Sequence, residues 1–177
     1  MTQDDAIAVE PLDAEAARAA IPALAEILAD AVESGASVGF MHWNGPSDYV
    51  AFWTGVAADV AAGRTILFAA RQGADVLGTA QLQLVGKPNQ PHRAEIAKVL
   101  VHSSARRRGL GAALMQAAEA AARQAKRDLL VLDTDEHGAA RRLYGKLGWT
   151  ELGTVPRYAL MPDGSDCGST FFYKDLR

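Results

Sequence analysis

The sequence predicts an α+β domain built on a mixed sheet. Short runs rich in Val, Ile, Leu and Phe alternate with alanine-rich segments whose apolar residues recur at helical spacing. Two of those helical segments, one ending near Lys126 and one over Ala139 to Leu147, are flanked by strand runs and read as crossovers. No repeat, no Pro/Ser-rich linker and no low-complexity stretch apart from the alanine-rich helices interrupts the 177 residues. That length suits one domain over 1–177, large enough to bury roughly two-thirds of its unfolded surface.

Ala6 to Glu10 is expected to form a short first strand. Asp13 can cap a helix over Ala14 to Ala20, and Pro22 can start a longer one to about Val32, in which Ile21, Leu24, Ile27 and Leu28 share a face. Pro46 opens another helix to about Ala62, stopped by Gly63. Thr65 to Ala70 and Val76 to Leu84 are strands joined by a turn containing Gly73. The loop Gly86 to His92 leads to a strand over Arg93 to Val101, followed by a glycine turn and the helix to about Lys126. A buried strand over Leu129 to Asp133, the helix Ala139 to Leu147, and strands near Thr150 to Leu160 and Thr170 to Lys174 complete the chain.

Composition excludes several classes. Cys167 is the single cysteine and no Cys/His cluster has zinc spacing, so neither a disulfide framework nor a structural metal is expected, and a reduced cytoplasm is the simplest compartment. Asp4, Asp5 and Glu10 do not fit a secretory signal, and no apolar run has membrane length. A formal net charge of -3 argues against nucleic-acid binding, although Arg106 to Arg108, Arg123, Lys126 and Arg127 form a local basic patch.

That patch borders the most informative motif, Arg106-Arg107-Arg108-Gly109-Leu110-Gly111, between the apolar run Ile96 to Val101 and the Ala-rich stretch Ala112 to Ala125. The spacing R-x-x-G-x-G puts two glycines where a strand hands over to a helix, so backbone N–H groups can approach an anion without an intervening Cβ. The helix dipole and the arginines add positive potential, which suits a pyrophosphate. A Walker loop is excluded because Leu110 and Gly111 stand where G-K-[ST] is needed. A dinucleotide turn is excluded because Leu114 replaces its third glycine. A plain strand-to-helix turn with solvated arginines is the other reading of the motif alone.

Ile96-Ala97-Lys98-Val99-Leu100-Val101, the R-x-x-G-x-G turn and Leu114-Met115 together resemble the acetyl-CoA-binding motif of the GNAT N-acetyltransferase superfamily. Leu129 to Asp133 and Ala140-Arg141-Arg142-Leu143-Tyr144-Gly145-Lys146-Leu147-Gly148-Trp149 are similar to its downstream strand and A-x-x-L-Y-x-x-L-G-[FW] helix. The family often has Asn at the position of His137. Ser34 to Met41, Lys87-Pro88-Asn89, Leu132-Asp133-Thr134 and Pro162-Asp163-Gly164 look like the tabtoxin-resistance subgroup, whose substrate is a small β-lactam amino acid. The resemblance implies a mostly antiparallel sheet of about seven strands with four to five helices, and a central pair of strands that splays. It also implies acetyl-CoA as donor, with CoA as product, and direct attack by an amine without an acyl-enzyme. Cofactor contacts are then expected from Val99, Leu100, Val101, Arg106, Arg107, Arg108, Gly109, Leu110, Gly111, Ala112, His137 and Tyr144.

Acetyl transfer needs a held thioester, donors on its carbonyl oxygen, a proton acceptor for the amine and a proton donor for the departing thiolate. Tyr144 stands at the family's general-acid position, and a phenol with a pKa of about 10 stays protonated at neutral pH. Its other reading is a half-buried tyrosine with a satisfied hydroxyl. Glu95 and Asp133 are candidates to face the amine as anchors first and bases second, since a carboxylate titrating near 4 is a weak base for an ammonium near 10. Glu95 has a rival role in a salt bridge to Arg93 or Lys98, and Asp133 as a helix cap. His137 is a further base candidate. The acceptor pocket is expected from the Ser34 to Asn44 loop, the Lys87 to His92 loop and the strand near Tyr158, with Phe40, Trp43 and Tyr158 as aromatic walls or core residues. Cys167 is distant from the motif in sequence. The acceptor expected is a small amino-acid-like or antibiotic amine, with toxin or antibiotic resistance as a possible role; neither nucleic acid nor membrane is an expected partner. A monomer and a homodimer both fit, Phe171 to Tyr173 being either core or dimer edge. A non-catalytic acyl-CoA sensor is the alternative function.

Overall fold

The computed structural model describes residues 6–177. In chain order these form β1 (Ile7–Leu12), α1 (Ala14–Ala19), α2 (Ile21–Glu33), α3 (Pro46–Ala61), β2 (Thr65–Gln72), β3 (Asp75–Leu84), β4 (Arg93–Val101), α4 (Leu110–Gln124), β5 (Leu129–Asp135), α5 (Ala139–Lys146), β6 (Thr150–Leu160) and β7 (Asp166–Asp175). The seven strands make one sheet in the order β1-β2-β3-β4-β5-β7-β6. Only β4 and β5 pair in parallel, and α4 is the crossover between them.

Local chemistry sets most of these boundaries. Asp13 Oδ1 accepts from the N–H groups of Glu15 and Ala16 at 3.0 and 2.8 Å, starting α1. Asp48 reaches back to the Gly45 N–H at 2.9 Å and fixes the start of α3. β1 extends through Pro11, which an edge strand tolerates because its missing N–H faces outward. β5 runs two residues beyond the expected end at Asp133, and β7 starts four residues before Thr170, because the two pair continuously from Leu129↔Asp175 to Asp135↔Ser169.

Each face of the sheet carries its own core. On one, α4 supplies Leu110, Leu114 and Met115 against Leu82, Ile96, Leu130, Tyr144 and Phe172. On the other, α1, α2 and α3 pack Leu24, Leu28 and Trp53 against Leu67, Ala69 and Leu100. A fully buried leucine of this kind contributes about 1.5–3 kcal/mol. One buried charge cluster ties the first core together. Glu119 on α4 accepts from Lys174 Nζ at 2.9 and 2.8 Å and from Trp149 Nε1 at 3.0 Å, while Lys174 also donates to the Leu147 carbonyl at 2.7 Å. β7 lies inside the sheet with Phe172 buried, so Phe171 to Tyr173 is not an edge; the edge beside it is β6, exposed along its length, as β1 is the edge at the other end.

Two features of β4 open the sheet. Its pairing with β5 is confined to Arg93↔Leu129, Ala94↔Leu130 and Glu95↔Val131, after which the strands diverge. Its pairing with β3 skips between Gln81↔Ala97 and Thr79↔Leu100, where Lys98 has a φ of 50°. This bulge puts one extra residue into β4 and changes which side chains face each core. Ala94 and Ile96 belong to the α4 side, Lys98 and Leu100 to the α3 side, and Val99 and Val101 return to the α4 side.

Candidate active site

The gap between the diverging strands is the mouth of a cavity of about 940 Å³. Its walls come from both sides of the sheet: Ser34–Gly39 after α2, Ile96–Val101 of β4, the start of α4, Asp133–Asp135 of β5, Tyr144 of α5, and Tyr158, Cys167 and Ser169 from the last two strands. Beyond Glu95 the β5-facing edge of β4 has no strand partner among the described residues, so its backbone groups can take an extended ligand.

The R-x-x-G-x-G segment forms one end of the cavity. Gly109 has a φ of 82°, a conformation costly for an L-residue, and it is the N-cap of α4. The first intrahelical bond is from the Ala113 N–H to the Gly109 carbonyl at 3.1 Å. The N–H groups of Leu110, Gly111 and Ala112 therefore point out of the helix end, and all three residues line the cavity. A Cβ on Gly111 would come within 3.1 Å of Leu143 Cδ2, so this glycine also lets α4 approach α5 closely. These donors, with the dipole behind them, fit a pyrophosphate.

The three arginines separate into different tasks. Arg106 donates to the Val101 carbonyl at 3.2 Å, to Asp30 at 3.1 Å and to Ser34 at 3.1 Å, and Asp30 also takes the Ser103 N–H and hydroxyl at 2.9 and 2.5 Å. It clamps the turn onto α2 while lining the cavity. Arg108 turns away to Gln72 at 3.0 Å and does not line the cavity. Arg107, held at a φ of 63°, lines the cavity with no side-chain partner among the described residues. It is the arginine free to meet a phosphate.

Tyr144 lies against Phe172 and Trp149, and its hydroxyl has no hydrogen-bond partner among the described residues. Burial, reinforced by the Asp133 charge, pushes its phenol up to about 12. It therefore remains a donor through the neutral range. Asp133 lines the cavity with its carboxylate steadied by the Ser169 hydroxyl at 2.6 Å. Asp133 has no cap role: the N-cap of α5 is Gly138, without a side-chain cap, and Asp135 closes the preceding turn by accepting the His137 N–H at 2.8 Å.

Several expected site residues lie elsewhere. Glu95 pairs with Arg93 at 2.6 Å, at the end of β4 that is still zipped to β5, and is absent from the cavity wall. His137 points outward, its side chain 88% exposed, though Gly138 beside it lines the cavity. Phe40 belongs to an aromatic cluster with Tyr49 and Phe52, and Trp43 is 74% exposed; neither lines the cavity, whereas Tyr158 does. The Lys87 to His92 loop is at the far end of β5, where the His92 carbonyl accepts from Asp128 and Leu129 at 2.9 and 3.1 Å. Cys167, distant in sequence, is brought into the cavity by β7. Burial raises its thiol pKa, which keeps it protonated and a poor nucleophile.

Sequence reasoning passed over Lys98 and Ser169 as site residues. The signal for Lys98 was a lone cation inside the apolar run Ile96 to Val101. Ser169 had no local signal, since β5–β7 pairing alone brings it to Asp133.

Residues 21–149 match the acetyltransferase (GNAT) family. Similar solved structures include an N-acetyltransferase from Staphylococcus aureus Mu50, with TM-score 0.80 and 19% identity over 98% of this chain and 100% of that one. The yncA acetyltransferase structure from Salmonella typhimurium, with its cofactor acetyl-CoA, has TM-score 0.79 and 22% identity over 98% and 95%. A ribosomal-protein-alanine N-acetyltransferase from Brucella melitensis has TM-score 0.79 and 24% identity over 96% and 99%. With the glycine turn that opens α4, the splayed β4–β5 pair and a family match over most of its length, the chain belongs to the GNAT acetyltransferases, which use acetyl-CoA.

Proposed function

We propose that this enzyme transfers the acetyl group to the amine of a small amino-acid-like acceptor by direct attack. The observation that carries this reading is the continuity of one cavity from the α4 N-terminus, along the open edge of β4, to Tyr144 and Asp133. Bound acetyl-CoA supplies the activated acetyl thioester. The N–H groups of Leu110, Gly111 and Ala112 and the Arg107 guanidinium hold its pyrophosphate, and the open edge of Val99–Val101 pairs with the extended arm that follows.

Asp133 anchors the acceptor's ammonium and passes one of its protons to water, freeing the lone pair for attack; as the C–N bond forms and the C–S bond breaks, the nitrogen loses a second proton to water and the sulfur departs as thiolate. Its hydrogen bond from Ser169 fixes the carboxylate's orientation. Tyr144 faces the departing sulfur. A thiol ordinarily titrates near 8.5, well below the Tyr144 phenol, so full proton transfer is uphill. The tyrosine therefore acts chiefly by hydrogen-bonding the sulfur as charge develops. Cys167 is not needed as a carrier, which agrees with direct attack. The small acceptor class is supported by the cavity's size and by the Ser34–Gly39 wall, part of the likeness to the tabtoxin-resistance subgroup. An antibiotic or antimetabolite acceptor is a special case of this class.

CoA thiol release should be followed with acetyl-CoA and a panel of amino acids, β-lactam amino acids, polyamines, aminoglycosides and peptide N-termini. Release stimulated by the small amino acids is expected. Turnover confined to peptides or polyamines would reject the acceptor class, and saturable acetyl-CoA binding with no turnover would favour the non-catalytic sensor.

A further inference from the structure

Of the three cations that line the cavity, Arg106 is held in the clamp to Asp30 and Arg107 is assigned to the phosphates, which leaves Lys98. Lys98 lines it from the α3 side of the gap, with Nζ 5.4 Å from the centre of the Phe52 ring and 3.9 Å from where a Gly39 Cβ would be. It makes no hydrogen bond or ion pair among the described residues. An ammonium enclosed without an anion is costly, and sequences rarely keep one unless a ligand completes it. Burial lowers its pKa, and the Asp133 carboxylate is near enough to oppose that shift without closing on it. The two opposite charges thus face a shared space rather than each other.

The backbone supports the same reading. In an unbroken strand Lys98 would share a face with Ile96 and enter the α4 core. The bulge, with its left-handed residue at Lys98, turns the side chain to the other face of the sheet. Two costs, an unpaired cation and a strained residue, coincide at one position on the cavity wall.

We propose that Lys98 is the anion-binding residue of the acceptor site: its ammonium, set across the gap from Asp133, holds the carboxylate of an amino-acid-type acceptor whose amine faces Asp133. This rests on the acetyl-transfer reading above and narrows its substrate class to amines that carry a carboxylate. Simple amines and carboxamides lack the second charge and are disfavoured. Neutral acceptors also leave Lys98 unpaired in the closed site, which adds to the discrimination.

The test compares acids with their carboxamides. Binding of N-acetyl-L-alanine, N-acetyl-L-methionine and N-acetyl-L-glutamate, and of the corresponding α-carboxamides, is measured calorimetrically on the CoA-saturated protein. Turnover of the parent amino acids and amino-acid amides is measured alongside. At least one acid should bind roughly 10- to 100-fold tighter than its amide, the range for a hydrogen bond to a charged group. Lys98→Met, which keeps an unbranched stem over Phe52, should erase that ratio while leaving amide and acetyl-CoA affinities unchanged; Lys98→Arg should retain part of it. Equal binding of acids and amides, binding of neither, or a Lys98→Met variant that weakens both alike would overturn the proposal. Amine turnover with no acid preference would sink it while leaving the acetyltransferase reading intact. An acid preference that depends on Lys98 in a protein that acetylates none of these amines would do the reverse.

Discussion

Gly109 permits a test in which backbone strain and charge separate. Its φ of 82° is left-handed, and a Cβ added there meets nothing within 4 Å. Gly109→Ala therefore costs conformational strain alone, about 1–2 kcal/mol. For a domain of this size that lowers Tm by roughly 2–8 °C. Gly109→Asp pays a similar or smaller strain, because Asp tolerates the left-handed region and a negative charge suits the α4 N-terminus. It also sets a carboxylate beside the pyrophosphate. Two unit charges about 5 Å apart at an effective dielectric of about 20 repel by about 3 kcal/mol, close to a 200-fold loss of affinity. Acetyl-CoA Kd by calorimetry, with Tm recorded for both variants, checks this. The Ala variant should bind within about tenfold of wild type, and the Asp variant should bind about two orders of magnitude more weakly at comparable Tm. Equal affinities in the two variants would refute the placement of the phosphates at this turn.

Substitutions at four further positions probe the same geometry. Tyr144→Phe should leave acetyl-CoA affinity near normal and lower kcat by about 100-fold if hydrogen bonding to the sulfur limits the rate, as steady-state kinetics beside calorimetry would show. Arg107→Ala should weaken acetyl-CoA binding, more at low salt, with Tm unchanged. Arg106→Ala should lower Tm as well, because it also breaks the clamp to Asp30 and Val101. Glu119→Ala strands Lys174 and Trp149 Nε1 inside the core and should cost about 3–5 kcal/mol, whereas Glu119→Gln keeps an acceptor and should cost less; denaturant melts of the two variants separate these.

What the sequence disclosed about this fold depended on how local the cause was. β4 was legible to the residue at both ends, Arg93 and Val101, because a loop and a glycine turn punctuate a continuous apolar run. Asp13 and Pro46 marked helix starts through short-range bonds and fixed φ. The glycine turn that starts α4 was legible for the same reason. Roles set by pairing across the sheet were not. Glu95 and Asp133 look equivalent in sequence, yet Glu95 lies where β4 and β5 are still zipped and Asp133 beyond their divergence. The Lys87 to His92 loop went to the wrong end of β5 because loop destination follows strand order rather than loop composition. Cys167 and Ser169 reach the cavity only because β7 inserts between β5 and β6. Lys98 was concealed by its bulge, which reverses the alternation that sequence patterning assumes.

The proposed reaction needs the divergence of β4 and β5 to place the acetyl group between Tyr144 and Asp133. A crystal structure of the acetyl-CoA complex tests this most directly. Pyrophosphate oxygens are expected within hydrogen-bond distance of the Leu110, Gly111 and Ala112 N–H groups, with an extended arm paired to Val99–Val101 and the thioester sulfur facing the Tyr144 hydroxyl. Acetyl-CoA bound elsewhere on the surface, or with its sulfur remote from Tyr144, would contradict it.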